Sequence, residues 1–196
     1  MKIQLSLARV LSCMALVAMS LPAQAAEPAA AAAKASATTT WVYPLVPKFG
    51  GVHPRPDADA QPDPAADYKI LVDVISTGAD KGKPYASLER LARLVNLLAY
   101  SGVPPERMHI VAVLDQRAGA AGLTDAASRK YLKKGNPNLE ILHALKKAGV
   151  KLLVCSQALA EHGVQDNELD PAVTVTLSAL TAPIVYQQQG YHYMQL

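Results

Sequence analysis

From Tyr68 onward the chain alternates between short apolar runs and longer stretches in which apolar residues recur every three or four positions. Lys69-Ile-Leu-Val-Asp-Val-Ile75 is the first run, His109 to Leu114 the second, Val150 to Val154 the third and Val173 to Leu177 the fourth. The first, short and nearly continuous, predicts a strand buried on both faces as in a parallel sheet, and the other three predict further strands, the fourth rich in Val and Thr. Between the first two runs, Leu88, Leu91, Leu94, Val95 and Leu98 lie at helical spacing. They predict a helix capped by Ser87, running to about Tyr100 and ended by Gly102, Pro104 and Pro105. Leu123 to Lys134 predicts a short helix. Asn136 then reads as an N-cap with Pro137 in the first helical position. The helix behind it carries Leu139, Leu142, Leu145 and Ala148 on one face and stops at Gly149. Ser156 to His162 predicts another short helix closed by Gly163, Thr181 to Gln189 a further one, and Tyr191 to Gln195 a last strand. Strands alternating with helices across short connections predict βαβ units, an α/β domain whose parallel sheet is covered on both faces. Residues 68–196 have a normal single-domain length.

Upstream of Tyr68 the pattern is lost. Lys2 and Arg9 precede the uncharged apolar run Val10 to Leu21, and Ala23-Gln24-Ala25 has the small-x-small form of a cleavage site. Residues 1–25 therefore read as a secretory signal peptide cleaved near Ala25, and the protein is expected in the periplasm. The run is shorter than the ~20 residues a membrane span requires, which argues against an uncleaved anchor. Cys13 lies inside the run with hydrophobic residues after it, which does not suit a lipoprotein. Residues 26–67 read as linker and arm. Ala26 to Thr40 is Ala-rich and of low complexity, as a disordered tether would be. Trp41 to Asp67 carries Pro44, Pro47, Pro54, Pro56, Pro62 and Pro64, too closely spaced for a helix or a central strand. This stretch also holds the only Trp and the only Phe of the chain. An extended arm whose aromatic residues dock on the domain or on a neighbouring subunit accounts for them better than a plain linker.

Cleavage changes the charge and the thiol count. It removes two of the 19 basic residues and none of the 16 acidic ones, leaving a nearly neutral chain. Nothing in that balance calls for nucleic acid or anionic lipid as a partner. Cleavage also removes Cys13, one of the two cysteines. Cys155 is then the single thiol in a compartment that favours disulfides. It is buried and inert, paired with another molecule, or kept free as a reactive thiol.

Cys155 follows Lys-Leu-Leu-Val at the carboxyl end of the third strand and directly precedes a helix, the place where open α/β sheets bind ligands. Unpaired N–H groups at a helix start favour thiolate over thiol; the competing reading is a small apolar residue packed at the strand end. Asp115 and Gln116 end the second strand and in a parallel sheet share that edge with Cys155, where an acid can orient a ligand or accept a proton. They read equally as a polar loop entry. Ser156 and Gln157 offer hydroxyl and amide contacts beside the thiol. Thr77, Gly78 and Asp80 follow the first strand, where a turn is expected, without the spaced glycines of a dinucleotide site. The histidines at 53, 109, 143, 162 and 192 have no metal-ligand spacing, so no metal is assigned. Neither a Gly-x-Ser-x-Gly elbow nor a Walker loop occurs, and no cofactor is expected.

Three blocks carry a resemblance: Asn136-Pro-Asn-Leu-Glu-Ile-Leu-His-Ala-Leu, then Ala148-Gly-Val-Lys-Leu-Leu-Val-Cys-Ser-Gln-Ala-Leu, then Leu177-Ser-Ala-Leu-Thr181 with Gln189-Gly-Tyr191. With Tyr43-Pro and Gly50-Gly-Val in the arm, they resemble exported members of the DsrE/DsrF-like family. The resemblance covers roughly Tyr68 to Leu196. It implies a three-layer α/β/α sandwich with a mainly parallel five-stranded sheet, assembled as trimers or hexamers. It also implies that Cys155 accepts sulfur as a persulfide and relays it to a thiol or another sulfur acceptor. Two positions depart from the family wording. Ser156 stands where glycine is usual after the cysteine, and Asp115 stands where histidine is frequent. An acid close to the sulfur opposes thiolate formation. The alternative reading is a non-catalytic module that binds a small ligand or builds an assembly, with Cys155 as packing.

Overall fold

The computed structural model describes residues 40–75, 82–115 and 117–196. The expected signal peptide, the Ala-rich segment as far as residue 39, Thr77, Gly78, Asp80 and Gln116 lie outside the described residues.

The predicted strand segments form β1 (Tyr68–Val74), β2 (Met108–Leu114), β3 (Lys151–Cys155), β4 (Val173–Thr176) and β5 (His192–Gln195). They build one sheet in the order β4-β3-β2-β1-β5, with every pairing parallel. The helices are α1 (Ala86–Tyr100), α2 (Asp125–Leu132), α3 (Leu139–Lys147), α4 (Ser156–Glu161) and α5 (Ala182–Gln188). Side chains alternate between the two sides of each strand. Val72, Val74, Ile110, Ala112, Leu114, Leu152 and Val154 join the larger core with Leu88, Leu91 and Val95 of α1, Leu142 and Leu145 of α3, and Leu159 of α4. Leu71, Val111, Val113 and Leu153 form a smaller core on the other side under Ala182, Tyr186 and Tyr191. The architecture is thus α/β/α, with the second helical layer supplied by α5.

Topology explains the asymmetry. Each step from β1 to β4 adds a strand in one direction, and right-handed crossovers put the intervening helices on one side. The step from β4 to β5 runs back across the sheet, so the same handedness sends α5 to the opposite side. The chain therefore leaves β3 toward the larger core and leaves the adjacent β4 toward the smaller one. Adjacent strand ends that diverge in this way open the crevice in which α/β proteins place their sites. Cys155 is the last residue of β3.

Two predicted helix starts are displaced. Tyr85, not Ser87, is the N-cap of α1, and Ser87 is buried within its first turn. Asn138, not Asn136, is the N-cap of α3. The Asn136 carboxamide is already engaged, because its Nδ2 donates to the carbonyls of Ala121 and Leu123 at 2.8 and 2.6 Å. Its Oδ1 accepts from the Asn138 backbone N–H at 3.0 Å. Asn138 in turn accepts the Tyr85 N–H at 2.8 Å, so Asn-Pro-Asn ties the start of α3 to the start of α1.

The arm packs on α1. Val42 and Val52 pair across an antiparallel bridge, and Val46, Phe49 and Val52 are buried. Trp41 and Tyr43 remain about half exposed, with Trp41 edge-on to His53 and near the Arg93 guanidinium. Among the described residues no helix is long and apolar enough to cross a membrane.

Candidate functional site

Cys155 belongs to β3 because Leu152, Leu153 and Val154 before it are apolar and buried, which favours a central strand. Its extended backbone (φ −72°, ψ 118°) also makes it the N-cap residue of α4. Being two residues beyond Leu153, it turns its sulfur to the α5 side. The residue is 5% exposed. Sγ accepts the backbone N–H of Ala179 at 3.3 Å from the β4–α5 connection. Burial pushes the thiol pKa up and is the largest single influence. The N–H groups of Ala179, Ala158 and Gln157 and the Ser178 hydroxyl together outweigh it, and the pKa lies below the ordinary 9.0. Hydrogen bonds aimed at sulfur favour the anion.

Ser156 and Gln157, half-buried and exposed respectively, are not free ligand contacts, because both side chains are engaged. Ser156 Oγ donates to the Leu177 carbonyl at 2.7 Å, and Gln157 Nε2 donates to the same carbonyl at 3.2 Å. They latch the 177–181 loop down on the thiol. Within that loop the Leu180 N–H donates to Ser178 Oγ at 3.1 Å, and the Ala182 N–H donates to the Ser178 carbonyl at 3.0 Å. The loop is thereby shaped as the lead-in to α5.

Asp115 stands one residue past β2, and continuing the β2–β3 register places it beside Cys155. Its carboxylate is spent locally. Oδ1 accepts the N–H groups of Arg117 and Ala118 at 2.9 and 3.1 Å, and Oδ2 pairs with the Arg117 guanidinium at 3.1 Å. The structure gives Asp115 the part of a turn cap, its charge compensated by Arg117. Gln116, its predicted companion, lies outside the described residues. The histidines stay apart: His143 pairs with Asp170 at 2.9 Å, and His109 lies 4.0 Å from Asp67. Among the described residues no three His, Cys, Asp or Glu side chains converge on a metal position.

Sequence reasoning missed the covering loop. Ser178 and Ala179 act on the sulfur through a hydroxyl and a main-chain N–H, and a main-chain donor leaves no mark in residue identity. The loop also carries conspicuous apolar exposure. Leu177 is 69% and Leu180 83% exposed, and Ile184 and Val185 of α5 continue the patch.

Comparisons with known proteins bear on this arrangement. The family model described as DsrE/DsrF-like matches residues 69–196, which include the whole sheet from its second residue onward. A solved structure of a protein of unknown function from Methanobacterium thermoautotrophicum is similar at 18% identity and a TM-score of 0.46. It covers 66% of this chain and 100% of its own. A search of curated proteins finds no match.

Proposed function

The chain belongs to the DsrE/DsrF-like family, and from that premise we propose that it carries sulfane sulfur as a persulfide on Cys155. The observation behind this reading is a thiol at the diverging ends of β3 and β4 that accepts the Ala179 N–H. In the proposed reaction the Cys155 thiolate attacks the outer sulfur of a persulfide or polysulfide donor. A Cys155–sulfur bond forms, the donor's S–S bond breaks, and its electron pair leaves on the donor thiolate. An acceptor thiolate then attacks the terminal sulfur and releases the Cys155 thiolate. Sulfur is relayed without net oxidation, and no metal or organic cofactor enters the scheme.

The proposal places the protein in the periplasm, with residues 1–25 removed. One experiment reads both claims: intact mass of protein from the periplasmic fraction, before and after treatment with polysulfide. The expected result is a chain lacking residues 1–25 that gains increments of about 32 Da on Cys155, the mass of added sulfur. The Cys155→Ser protein gains none. Unmodified wild-type protein under donor excess would rule out the relay.

The same reading includes a homo-oligomer. β4 is an edge strand, and Leu177, Leu180, Ile184 and Val185 beside it form an exposed apolar patch of the kind that marks association. Leu180→Asp is expected to shift the protein toward monomer in light scattering while its circular dichroism is unchanged. An unaltered mass would place the contact elsewhere. The second reading, a binding or assembly module with a packed cysteine, is favoured by the low exposure of Cys155. It would leave the thiol unmodified by the donor.

A further inference from the structure

On the larger-core side of the sheet, the segment 117–123, α2, α4 and Val164 line a partly open pocket of about 350 Å³. Its walls include Leu123, Leu132, Leu159 and Val164, with Arg117 and His162 as the cation-capable groups. The space is built rather than incidental. Gly119 and Ala120 line one side with almost no side chain, and a Cβ at Gly119 would meet nothing. Tyr131 closes another side as a fixed wall, because its hydroxyl bonds the Gly163 carbonyl at 3.0 Å and Glu168 at 2.8 Å. Glu168 is held ionised there, its pKa lowered to about 2 by the Gln165 N–H, then by Lys130 and Tyr131. That carboxylate is already engaged by three donors.

The polar groups select the ligand. Arg117 uses Nε and Nη2 toward Asp115, whereas a guanidinium has five N–H donors and can serve a second carboxylate. Asp115 is compensated by that contact and by two backbone N–H groups, so it does not dominate the charge at the mouth. The size sets the body. Binding pockets begin at about 300 Å³, and a cavity of about 150 Å³ accepts benzene. From this we infer that the cavity binds a small amphipathic acid, a medium-chain carboxylate. Its hydrocarbon body lies among Leu123, Leu132, Leu159 and Val164, and its carboxylate meets Arg117 and His162. Ala158, whose N–H faces the Cys155 sulfur, also lines this pocket, but the inference does not depend on sulfur transfer.

The probe is sodium octanoate, titrated into the full-length protein to about 10 mM and followed by methyl-resolved NMR. Saturable shifts are expected at the methyls of Leu123, Leu132, Leu159 and Val164. Arg117→Gln should weaken octanoate binding about tenfold while leaving binding of neutral octanol unchanged, as expected for losing one charge-assisted contact. Ala120→Phe, which fills the cavity, should abolish both, with the unchanged far-UV spectrum reporting the fold. Shifts confined to Leu177, Leu180 and Ile184, or no saturation, would overturn the assignment. Octanoate binding that ignores Arg117→Gln would overturn the recognition of an acid.

Discussion

Replacing Asn96 with leucine is expected to destabilise the protein by about 3 kcal/mol or more, the largest effect of any single polar side chain outside the site. Asn96 is fully buried on α1, and its carboxamide organises the arm. Oδ1 accepts the N–H groups of Leu45 and Val46 at 2.9 and 2.7 Å. Nδ2 donates to the carbonyls of Val46, Phe49 and Gly50 at 3.1, 2.9 and 3.1 Å. Leucine fills similar space and serves none of these groups. Each buried backbone group left unpaired costs about 1–3 kcal/mol, and relaxation of the arm recovers only part of the total. Close packing leaves little room for that relaxation. Gly50 has φ +60°, and a Cβ there would lie 2.1 Å from the Arg93 nitrogen. Glu89 and Arg93 add their own bonds to Gly50 and Gly51. Urea denaturation tests the claim through the midpoint at constant slope. An unchanged midpoint would mean that the arm is an ornament on a domain that is stable without it.

The elements were largely legible in the sequence because both signals that specify them are local. Apolar runs gave β1 to β3, a Val- and Thr-rich run gave β4 and Tyr191 to Gln195 gave β5, while Leu88, Leu91, Val95 and Leu98 marked the buried stripe of α1. What escaped depends on residues distant in sequence. Asn-Pro-Asn offers two N-caps, and the rule of proline in the first helical position favours Asn136. The carbonyls of Ala121 and Leu123 claim that side chain from 15 and 13 residues away and move the helix start to Leu139. Asn96 looks like an ordinary polar residue on a helix until the arm, 46 to 51 residues earlier, is laid against it. The position of Cys155 was legible because a strand end is, but its cover was not. Asp115 looks like a proton acceptor by residue type, and only its bonds to the 117–118 turn show where the charge is used.

Alkylation of Cys155 across a pH series should rise to a plateau with its midpoint below 9.0, at a plateau rate well under that of an exposed thiol. The two halves of that expectation have separate causes. Cys155 is 5% exposed and its sulfur sits beneath the Ala179 N–H, so a reagent reaches it only when the 177–181 loop lifts. The closed form nevertheless predominates, and closed-form hydrogen bonds set which protonation state predominates. The midpoint therefore reports the closed pKa, whereas the plateau reports the opening equilibrium. Removing the latch separates them. The Ser156→Ala, Gln157→Ala double variant deletes two bonds to the Leu177 carbonyl. At about 1 kcal/mol each, that should raise the plateau by roughly tenfold or more. Ala179 still returns to the sulfur in the closed form, so the midpoint should stay in place. A midpoint that rises with the plateau would mean that the loop has come off altogether and that these two side chains, rather than the β4–α5 turn, hold the thiolate. Labelling that begins only in denaturant, in wild type and variant alike, would make Cys155 part of the core and leave the family fold here as a platform for binding or assembly.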